Sequence, residues 1–138
     1  MPRLFLDTDI LLDLVCDTRR FSADSSELMT MAVATDAEVM AGVGSFKDVY
    51  YIQCKATHDE RRARDAMRLL RGLVEVVGLD EEALDRALGS DEPDLEDGMV
   101  RASAELCGAD VIVTHDEAAF RGSSVTKMSA GEVLTLLG

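Results

Sequence analysis

The chain has 138 residues and a formal net charge of −13, and 47% of its residues are hydrophobic whereas 4% are aromatic. This length and apolar content predict one domain over residues 1–138, with no apolar run near the ~20 residues of a membrane span. The acidic balance disfavours a non-specific DNA-binding protein, because duplex binding leaves a basic footprint, but it is compatible with an enzyme whose carboxylates hold cations.

The predicted elements alternate between short apolar runs and segments with helical spacing. The first is RLFL (3–6), a buried strand that ends at an acid, followed by a helix that Thr8 or Asp9 is placed to cap. Ser22 is expected to cap a second helix. The rest follow in order: a strand at 38–43, a helix at 45–57, a helix opened by Asp59, a strand at 74–79, an acidic helix at 80–90, a helix from Asp94 to Cys107, strands at 109–114 and 124–128, and a helix at 130–137.

Strands that alternate with helices indicate an α/β fold with a parallel sheet covered on both faces. We therefore expect a three-layer α/β/α sandwich with a mostly parallel sheet of about five strands. Sites in such sheets lie beyond the carboxyl ends of the strands. Asp7 ends the first strand and Asp116 follows the strand at 109–114, so both are expected at the same edge.

Each further acid near this edge has a simpler structural explanation. Asp94 and Asp97 are three residues apart at a helix start, where acids satisfy free N–H groups and the helix dipole. Asp48 is explained as well by a first-turn or solvated position. Taken together, however, such acids would form a cluster that is electrostatically costly. A divalent cation stabilises such a cluster, and Mg²⁺ or Mn²⁺ suits both oxygen ligands and phosphodiester hydrolysis.

Three segments carry a resemblance to a known family: FLDTDILLDLV, SFKDVYYIQCK and DLEDGMVRASAELCGADVIVTHDEAAF. The sequence resembles the PIN-domain nucleases, especially the VapC-like toxins of bacterial toxin–antitoxin pairs. The resemblance implies a PIN-like fold and a metal-dependent endoribonuclease. It also implies an RNA substrate, a cognate antitoxin as partner and a homodimer.

By this resemblance, Asp7, Asp48, Asp97 and Asp116 occupy the four acidic positions of the family's site, with Asp7, Asp97 and Asp116 as metal ligands. Supporting positions fall at Thr8, Asp9, Asp94 and Thr114. Two positions depart from the family pattern. Asp9 stands where Asn is usual, and Asp48 stands where Glu is more common, so its shorter arm suits contact with a metal through water.

Other residues leave two interpretations open. Arg61, Arg64 and Arg68 line one side of a helix, either as a solvated face paired with nearby acids or as a strip that binds the RNA backbone. His115 is predicted not to be a ligand, because alternation at the strand end turns it away from Asp116. The three cysteines, Cys16, Cys54 and Cys107, form no CxxC pair and are expected to be small buried hydrophobes in a reducing compartment.

Two alternatives to a ribonuclease follow from the same residues. The DTD motif at 7–9 also ends a strand in haloacid-dehalogenase-like phosphatases, although those continue with Gly-Thr or Gly-Val and this chain continues with Ile-Leu. A catalytically weak or inactive PIN-like module that binds RNA or protein is the second alternative. The N-terminus has neither the basic start nor the cleavage site of a secretory signal, so a cytoplasmic protein is expected.

Overall fold

The computed structural model describes all residues from Met1 to Gly138. Its five strands are β1 (Arg3–Leu6), β2 (Glu38–Gly42), β3 (Glu75–Val77), β4 (Val111–Val113) and β5 (Thr126–Met128). Its seven helices are α1 (Thr8–Val15), α2 (Ser22–Ala34), α3 (Val43–Thr57), α4 (Glu60–Leu73), α5 (Glu81–Leu88), α6 (Leu95–Leu106) and α7 (Ala130–Leu137). No helix is long and apolar enough to cross a membrane.

The strands form one sheet in the order β3-β2-β1-β4-β5, and every neighbouring pair is parallel. The sheet is thus wholly parallel rather than mostly parallel, and the predicted α/β fold is confirmed. The chain builds outward from β1 to β3 and then returns to the other side of β1 with β4. This reversal makes the carboxyl ends of β1 and β4 a topological switch point, where open α/β sheets bind ligands.

The two faces of the sheet carry separate apolar clusters, because alternate side chains of a strand point to opposite faces. Leu4 and Leu6 pack on one face with residues of α1, α2, α4 and α7. Phe5 points to the other face, where it lies in register with Met40 and Ile112 and packs near Phe120. Helices on both faces produce the three layers.

Several helix starts differ from the predicted ones. The cap of α1 is Asp7, whose side chain accepts from Thr8 N, so neither Thr8 nor Asp9 is the cap. Ser22 does not cap α2 either, because its hydroxyl donates to the main-chain oxygen of Asp13 at 2.9 Å. The caps predicted at Asp59 and Asp94 are confirmed. The three cysteines are free but only half-buried, so the expectation of buried cysteines is wrong.

Candidate active site at the carboxyl edge of the sheet

An open cavity of about 490 Å³ lies at the carboxyl ends of β1 and β4. We call it the acidic cavity, because its lining includes six carboxylates and no basic side chain. These are Asp7, Asp9, Asp48, Glu96, Asp97 and Asp116. The four acids singled out from the sequence all lie here, and they come from four separate segments of the chain.

Asp7 is held rigidly at the end of β1. Its backbone N–H donates to Val113 O at 3.0 Å, which ties it to β4. Its two carboxylate oxygens accept from Thr8 N and from the Thr114 hydroxyl, each at 2.8 Å. Burial raises the pKa of Asp7 from 3.8 to about 7, and the negative charges of Asp9 and Asp97 add to the shift. Asp7 therefore resists ionisation unless a positive charge is near.

Asp9 lies two residues further along, in the first turn of α1. One oxygen of its carboxylate, Oδ2, accepts from His115 N at 2.8 Å. The other, Oδ1, is buried and has no hydrogen-bond partner. Burial also raises the pKa of this carboxyl group. A buried carboxylate oxygen without a donor is costly, so this atom is one that a cation or a water could satisfy.

Asp97 approaches from the first turn of α6. Its backbone N–H donates to the side chain of Asp94 at 3.1 Å, which confirms the capping role of Asp94. Its own carboxylate accepts no hydrogen bond from the protein. Partial burial and, to a lesser degree, the charges of Asp94 and Asp116 together raise the pKa of Asp97 to about 6. Asp97 thus presents free oxygens to the acidic cavity.

Asp116 is oriented by the loop that follows β4. Its Oδ1 accepts from the backbone N–H groups of Ala118 and Ala119 at 2.9 and 3.1 Å. Lys127 fixes the same loop, since its Nζ donates to the carbonyls of Asp116 and Ala119 at 2.7 and 2.6 Å. The sequence offered only a weak signal for Lys127, a single lysine in an otherwise uncharged strand.

The wall opposite β4 is formed by α3 and contributes Asp48. The Asp48 carboxylate makes no hydrogen bond or ion pair within the protein. The start of α3 is joined to α1 by a 2.8 Å hydrogen bond from the Thr8 hydroxyl to the Ser45 hydroxyl. Sequence reasoning missed Glu96, although its place directly before Asp97 at a helix start was a usable signal.

Some predicted or acidic residues lie outside the acidic cavity. Arg61, Arg64 and Arg68 are exposed on α4 and do not line it. Two of these pair with neighbouring acids, Arg64 with Glu60 at 3.2 Å and Arg68 with Asp65 at 2.9 Å. The third aspartate of DTDILLD, Asp13, is buried and accepts from Arg19 at 2.8 Å and from Ser25 at 2.7 Å, so it serves the fold.

His115 also belongs to the fold rather than to the acidic cavity, which it does not line. Its ring stacks on Phe21 with centroids 4.1 Å apart. Its Nε2 accepts from Ala130 N at 3.2 Å, which connects the strand end to the start of α7. The backbone N–H of the same residue is what holds Asp9.

The donor set fits a hard divalent cation. Six of the lining side chains supply carboxylate oxygens, which Mg²⁺ and Mn²⁺ prefer. No three acidic groups stand close enough to share one ion as they are arranged. That spacing suits Mg²⁺, which commonly takes one or two carboxylates and keeps several waters.

The fold and the position of the acidic cavity define a doubly wound α/β protein with a carboxylate-lined site at the topological switch point of its sheet. A family model described as a PIN domain matches residues 3–118, so the chain belongs to the PIN domain family. The resemblance drawn from the three quoted segments is thereby confirmed. Among curated proteins, none matches this sequence significantly.

Several solved structures share the fold. VapBC2 from Rickettsia felis, bound to a promoter DNA fragment, aligns with a TM-score of 0.70 at 9% identity over 91% of this chain and 97% of that chain. VapBC-1 from nontypeable Haemophilus influenzae aligns with a TM-score of 0.68 at 15% identity, over 93% of this chain and 98% of that chain. VapC20 from Mycobacterium tuberculosis is described as a sarcin–ricin loop cleaving toxin. It aligns with a TM-score of 0.64 at 15% identity, over 79% of this chain and 86% of that chain.

Proposed function

We propose that the protein is a divalent-metal-dependent endoribonuclease and the toxin of a toxin–antitoxin pair. The observation that carries this proposal is the convergence of Asp7, Asp97 and Asp116 on one cavity that no basic side chain lines. Burial without a counter-charge raises the pKa of Asp7 and Asp97, which is the electrostatic condition that a bound cation relieves. Membership of the PIN domain family supports a nuclease.

In this mechanism, Asp7, Asp97 and Asp116 would hold Mg²⁺ or Mn²⁺, directly or through waters that the ion keeps. Thr114 and the Thr8 N–H fix both oxygens of Asp7, so its carboxylate is oriented before substrate arrives. Asp48 has a free carboxylate on the opposite wall and accepts a proton from the attacking water. When bound, the cation lowers the pKa of water and offsets the charge that develops on the phosphate.

RNA as substrate and an antitoxin as partner are supported by the structural neighbours. VapC20 is described as a toxin that cleaves the sarcin–ricin loop. A Klebsiella pneumoniae structure of similar fold is described as a toxin–antitoxin complex. As such a toxin, the protein acts on RNA in the cytoplasm, and the exposed Arg61 is available to the RNA backbone.

The test is incubation of the purified protein with total RNA and Mn²⁺, with and without a chelator. Cleavage should require the metal and should be lost in Asp7→Asn. Asp85→Asn is the matched control, because Asp85 is exposed on α5 and makes no side-chain contact with the acidic cavity. Chelator-resistant cleavage, or equal loss in both variants, would contradict the proposal.

A non-catalytic PIN-like module remains the second candidate, and one observation favours it. Asp48 stands where Glu is more common in the family, so this acidic position is a weaker match to the family's site. Metal binding to the acidic cavity without cleavage of any RNA would support this candidate. The family match gives the phosphatase alternative no support, and a phosphate trapped on Asp7 would be the result in its favour.

A further inference from the structure

A second, smaller cavity of about 200 Å³ adjoins the acidic cavity. We call it the side cavity. It lies between the start of α3 and α6, and its lining shares Asp48, Glu96 and Val100 with the acidic cavity. A group bound in one cavity is therefore next to a group bound in the other.

The side cavity differs from its neighbour in chemistry. Leu79, Met99 and Val100 give it apolar walls. Lys47 also lines it and is the only basic side chain in the lining of either cavity. Apolar walls beside a few polar groups are typical of small-molecule sites rather than of metal sites.

Ser103 gives independent evidence that the side cavity receives a polar ligand. This residue on α6 is only 5% exposed, and its hydroxyl lines the cavity without any hydrogen-bond partner in the protein. The hydroxyl is therefore free to donate to, and accept from, a polar ligand in this cavity. Ser45, 3% exposed, lines the same cavity; its oxygen accepts from Thr8, which leaves its own proton free to be donated.

The first turn of α3 adds main-chain donors to the side cavity. No side chain caps this helix, and its first turn contains no acid. Gly42 and Gly44 line the cavity, and a Cβ atom placed on Gly44 would meet nothing within 4 Å. An uncapped helix start with open space before it attracts hydrogen-bond acceptors and negative charge.

We infer that the side cavity binds the nucleobase of the nucleotide next to the scissile phosphate, with Lys47 contacting the adjoining phosphate. The inference rests on the proposed ribonuclease function and names a base-selective subsite for it. The apolar walls contact the faces of the ring, while Ser45, Ser103 and the α3 backbone bond to its edge. A base can enter only when it is unstacked, so the substrate is single-stranded or looped RNA.

The first experiment measures sequence preference. Wild type, Gly44→Leu and Gly72→Leu cleave a randomised single-stranded RNA pool, and the cut ends are sequenced. Gly72 is the matched control, because it lies on α4 and also has open space around it but does not line the side cavity. Wild type and Gly72→Leu should share a base preference at one nucleotide flanking the cut, and Gly44→Leu should lose it. An unchanged preference in Gly44→Leu would overturn the inference.

The second experiment does not depend on cleavage. The four ribonucleosides are titrated into the protein in chelator while the backbone amide resonances of Gly44 and Ser103 are followed. Ser103→Ala removes one hydrogen bond and should weaken the binding of the preferred nucleoside by about two- to tenfold. Thermal unfolding verifies that each variant is folded. If Gly44→Leu does not fold, Ser103→Ala replaces it in the cleavage experiment.

The two experiments separate failure of the inference from failure of the proposed function. If the wild type cleaves no RNA but binds a nucleoside at Gly44 and Ser103, the base subsite is supported and the ribonuclease function is contradicted. If the wild type cleaves RNA but no nucleoside shifts a resonance in the side cavity, the ribonuclease function is supported and the base subsite is contradicted.

Discussion

The Thr114 hydroxyl donates to Asp7 Oδ2 at 2.8 Å and accepts from Asp116 N at 3.1 Å. One oxygen atom therefore sets the positions of two acids that lie far apart in the sequence. Because β1 and β4 are adjacent in the sheet, their ends bring these three residues together. The geometry of the acidic cavity consequently depends on a group that binds neither metal nor substrate in the proposed mechanism.

Replacing Thr114 with Val should therefore impair cleavage more than folding. The variant keeps the shape of the side chain but loses the hydroxyl that holds Asp7. Loss of a partner that orients a metal ligand typically costs about 10–100-fold in metal affinity or activity. Cleavage measured across a Mn²⁺ titration should show the loss, and added Mn²⁺ should restore part of it. Thr135→Val on the exposed side of α7 is the control, and equal effects of the two variants would refute the orienting role.

Asp7→Asn should stabilise the metal-free protein while abolishing cleavage. Asn still caps a helix well, and the Thr114 hydroxyl can rotate to accept from the new amide. The substitution removes a buried charge beside Asp9 and Asp97. Thermal unfolding in chelator should give a higher Tm for the variant, and saturating Mg²⁺ or Mn²⁺ should raise the Tm of wild type only. A variant less stable than wild type in chelator would mean that Asp7 serves only the fold.

The contribution of Asp7 to the stability of the metal-free protein should fall as pH rises. The folded pKa of Asp7, about 7, is above its ordinary value of 3.8, so the folded state binds the proton more tightly than the unfolded state does. The resulting stabilisation is complete below pH 3.8 and is lost as pH rises to about 7. It is worth on the order of a few kcal/mol, since one pKa unit corresponds to about 1.4 kcal/mol.

Denaturant unfolding in chelator at a series of pH values checks this dependence. The difference between wild type and Asp7→Asn isolates Asp7 from the general effect of the net charge of −13. That difference should grow between pH 4 and 7 and should shrink when Mg²⁺ is added. Parallel pH profiles of the two proteins would contradict the raised pKa.

Lys127→Met should loosen the loop that carries Asp116. The Lys127 ammonium donates to three main-chain carbonyls, and Met matches its length but leaves those carbonyls without this donor. We expect a loss of about 1–3 kcal/mol in the free energy of unfolding, together with weaker cleavage. Faster amide hydrogen exchange at Ala118 and Ala119 should accompany the loss, and unchanged exchange there would disprove the loop role.

Self-association to a dimer is expected, as predicted from the resemblance. The packed pair α3 and α4 leaves Ile52, Leu69 and Leu73 exposed. Light scattering at micromolar concentration should give about twice the 15.0 kDa mass of one chain. Leu69→Lys should reduce this mass, whereas Val33→Lys on α2 should not. A monomeric wild type would remove the prediction.

Local patterns predicted the elements and the edge where the acids meet. Asp7 and Asp116 could be placed because a parallel sheet brings strand ends to one edge, a rule that needs only the order of elements. Asp59 and Asp94 could be assigned as caps because capping is local in sequence. The interaction of Ser22 could not be predicted in this way, because its hydroxyl donates to the main-chain oxygen of Asp13 on the preceding helix. The contacts of Lys127 and the link from His115 N to Asp9 join distant segments, and no local pattern records them.

The order of the strands has a consequence for biosynthesis. A ribosome releases β1, β2 and β3 first, and these three neighbours can pair while β4 is still being made. Asp7 then lacks both the Val113 carbonyl that receives its backbone N–H and the Thr114 hydroxyl. A nascent chain stopped before residue 111 therefore carries no complete acidic cavity, and the site can assemble only after β4 and Asp116 have been synthesised.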